Sequence, residues 1–327
     1  MRYSRIAATG SYVPERVLTN FDLEKMIDTS DEWILTRTGI SERRLSRDDE
    51  DTSDLAERAS REAMEAMGIA PEDLDLIMVA TITPTMPLPS TACFLQDKLQ
   101  ARRAAAFDIA AACSGFIYGL SIADSFIRTG TYHTILLVGS EALSKIVDWT
   151  DRNTCVLFGD GAGAVIIAPT EGESRIISTH LYSNGSYWDL LMQPGGGSRY
   201  PISPEIIEKN LHKIKMMSGN EVFKIATRAM EDAAISALKH NGLEPSDVDL
   251  LIAHQANHRI IRAVAQRLRL PEKNVFSNIA KCGNTSAASI PIALDEAVRS
   301  GRVKEGDLLL LAAFGAGLTW GSAVIRW

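Results

Sequence analysis

Three side chains suited to covalent catalysis stand where an α/β sheet would deliver them. Cys113 follows the apolar run Ala106–Ile109 and opens a helical pattern over Ser114–Arg128. His254 follows the apolar run Leu250–Ala253. Asn284 sits where a predicted strand, Val275–Ile279, turns through Cys282-Gly283 into a helix toward Arg299. Open α/β sheets hold ligands beyond the carboxyl ends of their strands, so the three can converge. Cysteine supplies a nucleophile near neutral pH, and His and Asn supply N–H donors for a developing oxyanion.

The neighbours of Cys113 favour that role. Ala110-Ala111-Ala112 before it and Ser114-Gly115 after it are small enough to admit a substrate, and a helix N-terminus favours thiolate. Cys93, Cys155 and Cys282 lack this setting and read as small core residues. His133, His180, His212, His240 and His258 read as ordinary hydrogen-bonded histidines. No carboxylate or second His is spaced to complete a metal site with the three. The glycine-rich segments Gly159-Asp160-Gly161-Ala162-Gly163 and Gly315-Ala316-Gly317 lack a following Lys-Ser/Thr, which excludes a nucleotide P-loop.

The elements that must position these residues come from a duplication. Gly68-Ile69-Ala70-Pro71-Glu72-Asp73-Leu74-Asp75-Leu76-Ile77 is matched 174 residues later by Gly242-Leu243-Glu244-Pro245-Ser246-Asp247-Val248-Asp249-Leu250-Leu251. Each copy follows an amphipathic helix (55–67 and 222–239) and enters an apolar strand (Leu76–Ala80 and Leu250–Ala253). Glycine caps the helix and proline stops it. Ala106–Ile109 with its helix resembles Val275–Ile279 with its helix. Phe158-Gly159 leading into Ala164-Val165-Ile166-Ile167 resembles Phe314-Gly315 leading into Ala323-Val324-Ile325. Repeated matches in one order predict two duplicated α/β halves, 1–170 and 171–327, whose continuous apolar strands carry helices on both faces. His254 then falls where the first half has Ala80. Residues 183–218 read as an irregular insertion.

The 327 residues, 46% hydrophobic and 23% charged, suit a large core that splits in two. A net charge of −7 argues against a nucleic-acid binder acting through bulk charge. Four cysteines without regular spacing fit a reduced, cytoplasmic protein. No secretory signal is visible. Prolines interrupt the uncharged stretch Leu76–Gln96 and glycines interrupt Leu308–Ile325, so both read as buried strands with tight loops and no membrane association is expected.

Four segments carry a family resemblance. Ala110–Phe116, His254–Asn257, Gly283–Ser289 and Phe314–Ser322 resemble β-ketoacyl-[acyl carrier protein] synthase III, the initiating condensing enzyme of type II fatty acid synthesis, and the likeness runs to Trp327. The resemblance implies a thiolase-like αβαβα sandwich and a homodimer. It also implies a cofactor-free acyltransferase that moves an acyl group from coenzyme A to Cys113. Malonyl-acyl carrier protein then loses carbon dioxide and attacks the thioester. Cys113, His254 and Asn284 would be the catalytic set, with the backbone N–H groups of Cys113 and Ala316 as the oxyanion hole. Relatives often carry Gly at the latter position.

The same resemblance points to Thr29, Trp33, Arg37, Arg152, Asn220 and Phe223 for coenzyme A. It assigns carrier-protein docking to Gln255, Ala256, Asn257, His258 and Arg259, within a basic stretch that continues through Arg262, Arg267, Arg269 and Lys273. Reversing Arg259 is then expected to weaken condensation and spare loading. Leu88 is placed near the partner subunit's acyl pocket, where some relatives carry a bulky aromatic, so acyl groups longer than acetyl are expected to fit. A Cys-His-Asn condensing enzyme of polyketide or secondary-metabolite synthesis shares the pattern. A papain-like cysteine hydrolase uses the same residue types, but its local sequence around cysteine is missing here.

Overall fold

The computed structural model describes residues 2–327. A five-stranded sheet runs in the order Tyr3–Tyr12, Gly161–Thr170, Ile135–Glu141, Leu76–Ala80, Ala105–Ile109. The last three strands are mutually parallel and the first two joints are antiparallel. The second sheet runs Arg175–Ser183, Thr319–Arg326, Leu308–Gly315, Leu250–Ala253, with the same sequence of orientations. Its fifth position is reduced to one parallel bridge between Leu251 and Val275.

That bridge corrects the expected strand Val275–Ile279. Val275 alone pairs, and Ile279–Cys282 forms a short helix instead. The Phe-Gly correspondence also shifts. Phe314-Gly315 ends a strand, whereas Phe158-Gly159 lies in a loop before one. The counterparts on matching rungs of the two sheets are Val165-Ile166-Ile167 and Ala323-Val324-Ile325, opposite Leu137-Leu136-Ile135 and Leu311-Leu310-Leu309.

Strand alternation produces the layers. Leu76 and Met78 point inward with Leu250, Ile252, Leu309 and Leu311, onto the central helices Gly115–Thr129 and Ser289–Arg299. Ile77 and Val79 point outward onto Thr52–Met67 and Thr91–Leu99. Leu251, Leu308 and Leu310 point outward onto Gly219–His240 and His258–Arg267. The result is an αβαβα stack whose central helices begin beside one another.

Both interrupted uncharged stretches lie in strands, loops and short helices, and among the described residues no helix is long and apolar enough to cross a membrane. Residues 183–218 contain a two-stranded ribbon, Leu191–Met192 with Lys215–Met216, and the helix Pro204–Glu208.

Candidate active site

The paired N-termini of the central helices build the site. A short 3-10 turn, Ala112–Ser114, precedes Gly115–Thr129, and its counterpart, Ser286–Ala288, precedes Ser289–Arg299. Ala112 and Ser286, 174 residues apart, both adopt left-handed backbone, with φ of 46° and 49°. This conformation is costly for residues with a Cβ and is kept only where surroundings enforce it. Here it presents Cys113 on one side of the approximate two-fold axis and Ser286 on the other.

Cys113, His254 and Asn284 line one cavity of about 390 Å3, together with Phe314 and Gly315. All three are buried. Asn284 is pinned across the halves: its N–H donates to Leu157 O at 2.9 Å and its carbonyl accepts from Gly159 N at 3.0 Å. Two glycines permit this approach. A Cβ on Gly159 would lie 2.3 Å from Cys282 O, and one on Gly283 (φ 66°) would lie 2.9 Å from Leu157 O. Asn284 Oδ1 accepts from Ser286 N at 2.9 Å, which leaves its amide N–H groups to donate into the cavity.

The electrostatics correct one expectation. Burial pushes the Cys113 thiol up to about 12; the Ser286 hydroxyl opposes this and the charge of Glu141 adds to it. A helix terminus contributes about 0.3–2 kcal/mol. Full burial shifts a pKa by up to about 3–5 units, roughly 4–7 kcal/mol, so the resting group is a thiol rather than a thiolate. Burial also holds His254 down to about 3, and it stays a neutral imidazole.

The loop that carries Ala316 packs directly on Cys113. Gly315 packs so closely on Cys113 that a Cβ there would lie 2.6 Å from Cys113 N. Thr319 Oγ1 donates toward Ala111 O (2.9 Å) and Ala316 O (3.2 Å), and Ser114 Oγ donates to Thr319 O (3.0 Å). The positive φ of this loop falls on Gly317 (131°), so Ala316 carries its Cβ without left-handed strain.

The cavity mouth collects Trp33, Arg37, Arg152, Asn220, Phe223, Ala256, Asn257 and Arg259. The Arg37 and Arg152 guanidinium carbons lie 4.5 and 4.7 Å from the Trp33 ring centre, which gathers cationic charge on an aromatic face. Thr29 does not line the cavity; its Oγ1 is buried without a hydrogen-bond partner. Arg259 lies 5.2 Å over the Phe223 ring. Asn257 caps the helix His258–Arg267 and donates to Arg37 O at 3.0 Å.

Gln255 requires a correction. It is 1% exposed, its Nε2 donates to Ala253 O, and its Oε1 accepts from Ser277 Oγ and Asn278 N. It shapes the turn from inside and presents no docking face. His258 is half-buried beside Gly39, and Arg259 is exposed.

Cys113 also borders a second, apolar cavity of about 190 Å3. Ile82, Leu143, Ile146, Phe158, Leu191 and Ile214 line it, and Ala316 and Ser286 sit at its entrance side with Cys113. Leu88 is 84% exposed and lies outside this cavity within a single chain.

Sequence reasoning assigned no role to Ser286, Ser289, Glu141 or the ribbon residues Leu191 and Met216. The 174-residue offset was the available signal for the serines, since it carries Ala112 onto Ser286 and Gly115 onto Ser289. For Glu141 the one signal in the sequence is an acid at the end of the otherwise uncharged run 135–141.

Comparison with known proteins agrees with this geometry. Residues 107–185 match the family model described as 3-oxoacyl-[acyl-carrier-protein] synthase III, and residues 238–327 match the model for its C-terminal part. A β-ketoacyl-[acyl-carrier-protein] synthase III of Caldanaerobacter subterraneus is 57% identical over 98% of this chain and 97% of its own length. The protein of that name from Xanthomonas campestris is 55% identical over 99% and 98%. The crystal structure of 3-oxoacyl-[acyl-carrier-protein] synthase III from Aquifex aeolicus superposes with a TM-score of 0.92 at 51% identity, covering 99% of this chain and 100% of that one. The priming β-ketosynthase of the R1128 polyketide pathway superposes with a TM-score of 0.91 at 36% identity, covering 99% and 96%.

Proposed function

Since this chain belongs to the 3-oxoacyl-[acyl-carrier-protein] synthase III family, we propose that Cys113 carries an acyl group taken from an acyl-coenzyme A, with His254 and Asn284 as its catalytic partners. The enzyme is a decarboxylating acyltransferase of type II fatty acid synthesis. The starter is condensed with malonyl-acyl carrier protein to give 3-oxoacyl-acyl carrier protein. One observation carries the assignment of roles: a buried Cys, a neutral His and an Asn with free N–H donors open onto one cavity.

The chemistry follows from those groups. The Cys113 sulfur adds to the thioester carbonyl, whose oxygen is held by the N–H groups of Cys113 and Ala316. Coenzyme A then leaves as its thiol, having regained the proton that Cys113 loses. Malonyl thioester next occupies the same cavity, and loss of carbon dioxide leaves negative charge on its carbonyl oxygen. Neutral N–H donors from His254 and Asn284 suit that enolate, and one such donor is worth about 10²–10³ in rate. The enolate carbon attacks acyl-Cys113 and expels the sulfur as a thiolate, which takes up one proton from solvent to restore the resting thiol. No cofactor is required for these steps.

The cationic Trp33–Arg37–Arg152 cluster suits the adenine and phosphates of coenzyme A, and Asn220 and Phe223 suit its pantetheine arm. Thr29, just before the helix Asp31–Thr38 that carries Trp33 and Arg37, is assigned to the same coenzyme A site. The exposed basic face of His258–Arg267 suits an acidic carrier protein, with Ala256, Asn257, His258 and Arg259 at its cavity end. Division into halves 1–170 and 171–327 assigns the nucleophile to one and the donors to the other. The edge strand Ala105–Ile109 suits pairing with a second copy, so the working form is taken as a homodimer in the cytoplasm.

Trapping the acyl group tests the reading. Incubation with radiolabelled acyl-coenzyme A should label Cys113, and malonyl-carrier protein should release the label as 3-oxoacyl product. Release by water alone would instead indicate a thioester hydrolase. A second reading, priming of polyketide synthesis, is favoured by the R1128 superposition and is told apart by which carrier protein releases the label.

A further inference from the structure

The cluster of Trp33, Arg37 and Arg152 is assembled from two helices far apart in sequence, Asp31–Thr38 and Arg152–Cys155. Arg37 reaches the Trp33 ring from the same helix, and Arg152 reaches it from the other. The cluster therefore exists only while the two helices keep their spacing. Helices of eight and four residues have little stability of their own, so other groups must hold them in place.

Arg43, on the strand Glu42–Leu45, lies between them and is 0% exposed. Its partners are oxygens of neutral groups. Nη1 donates to Leu18 O at 3.1 Å, and Nη2 donates to Asn20 Oδ1 and to Val156 O, both at 2.9 Å. Val156 caps the C-terminus of the helix that carries Arg152. Asn20 is buried as completely and passes the contact on. Its Nδ2 donates to Asp31 Oδ1 at 2.9 Å and to Ile40 O at 2.7 Å. Asp31 begins the helix that carries Trp33 and Arg37, and Ile40 lies just beyond its glycine cap. One amide thus holds that helix at both ends, and one guanidinium joins it to the second helix.

Burying a guanidinium without a carboxylate partner is costly, because hydrogen bonds must replace all of its water. Here the replacement is incomplete: Arg43 Nε has no partner, and burial pulls the group down to about 10. A well-packed apolar side chain would fill the position at less cost. What the arginine adds is the connection.

We propose that Arg43 and Asn20 are positioning residues for coenzyme A, which set the spacing between the Trp33–Arg37 helix and the Arg152 helix and so the grip on the nucleotide end of the thioester. Neither residue lines the cavity that holds Cys113. They act through the two helices, and the reacting carbonyl does not feel them directly.

This role rests on the reading of the cluster as a coenzyme A site, and the experiment keeps the two apart. Loading of Cys113 is followed by rapid quench with acetyl-coenzyme A and with acetyl-pantetheine, which presents the same thioester without the nucleotide. Two variants cut the connection at different points. Arg43→Lys keeps the stem that packs beneath Gly159 and Gly283 but cannot span Leu18, Asn20 and Val156 at once. Asn20→Asp still accepts from Arg43 and can no longer donate to Asp31 or Ile40.

In both variants the half-saturating concentration of acetyl-coenzyme A should rise roughly tenfold at an unchanged maximal rate, as a small misplacement of a binding group would produce. The second-order loading constant for acetyl-pantetheine should stay at the wild-type value. Partial loss of folded enzyme lowers both thioesters alike and cancels in their ratio. If Arg43→Lys does not fold, Asn20→Asp decides alone. Variants that lose both thioesters equally, or that keep the wild-type half-saturating concentration, overturn the positioning role. Wild type that loads both thioesters equally well would remove the nucleotide from the Trp33 cluster, and the role falls with that reading.

Discussion

His254 Nδ1 lies 2.6 Å from Ser289 Oγ, and the same hydroxyl accepts from the Gln255 N–H at 3.3 Å. The proposed role of His254 as a donor to the enolate requires the neutral ring to carry its proton on Nε2, and a Ser289 hydroxyl that donates to Nδ1 would hold that tautomer. Ser289 is the counterpart of Gly115 in the first half, so the duplication places a hydroxyl only on the side that holds a histidine. Ser289→Ala should release the tautomer and leave Nδ1 unpaired. Decarboxylation of malonyl-carrier protein should fall about 10–100-fold, toward the loss of one oxyanion donor. Loading of Cys113 should fall far less. Equal losses in separate assays of the two half-reactions would remove Ser289 from this role.

The basic helix His258–Arg267 divides by position. Arg259 stacks over Phe223 at the cavity mouth shared with the proposed coenzyme A residues, so Arg259→Glu should impair loading and condensation together. This changes the expectation from sequence that loading would be spared. Arg262 is exposed on the same helix and away from the cavity lining. Arg262→Glu should raise KM for malonyl-carrier protein severalfold and leave KM for acyl-coenzyme A unchanged. The carrier effect should shrink as ionic strength rises, because exposed charges are screened.

Two buried groups give stability opposite slopes with pH. His254 is held near 3 by burial against its ordinary 6.5, so its contribution is full above about 6.5 and is lost as pH falls toward 3. Glu141 is raised by burial from 4.5 to about 7, so its contribution is full below 4.5 and is lost as pH climbs through 7. Urea midpoints of wild type and Glu141→Gln, measured from pH 4 to 8, should converge or cross as pH rises. A constant gap would mean that Glu141 is not perturbed in the folded protein.

Most of this was legible because duplication writes itself twice. The capped-helix-to-strand passages at Gly68 and Gly242 fixed two sheets, and Cys113 and His254 fell at their strand ends. What escaped were features set by burial and by loops. The Val275–Ile279 run has strand composition, yet only Val275 pairs because the chain turns at once to carry Asn284 under Leu157. Cys113 was read as a thiolate because the helix terminus is local and visible, whereas the burial that outweighs it is tertiary. The family resemblance assigns Gln255 to carrier docking, but strand Leu250–Ala253 ends in the core and takes it inside.

If the acyl group on Cys113 enters the apolar cavity that Cys113 borders, that cavity limits the starter length within one chain. Leu143, Ile146, Phe158, Leu191 and Ile214 line it together with Cys113. A volume of about 190 Å3 exceeds what an acetyl group fills, so butyryl-coenzyme A should be accepted with acetyl-coenzyme A. Enlarging Ile146 to Phe adds bulk to a packed wall, which is tolerated poorly where neighbours cannot move. Ile146→Phe should therefore cut kcat/KM for butyryl- and octanoyl-coenzyme A tenfold or more relative to acetyl-coenzyme A. Leu88, 84% exposed, does not line this cavity. Leu88→Phe should alter the same ratio only if a partner subunit completes the cavity. A specificity series over the three thioesters reads both effects: an unchanged ratio in Ile146→Phe would place the acyl chain elsewhere, and an unchanged ratio in Leu88→Phe would leave the cavity closed by its own chain.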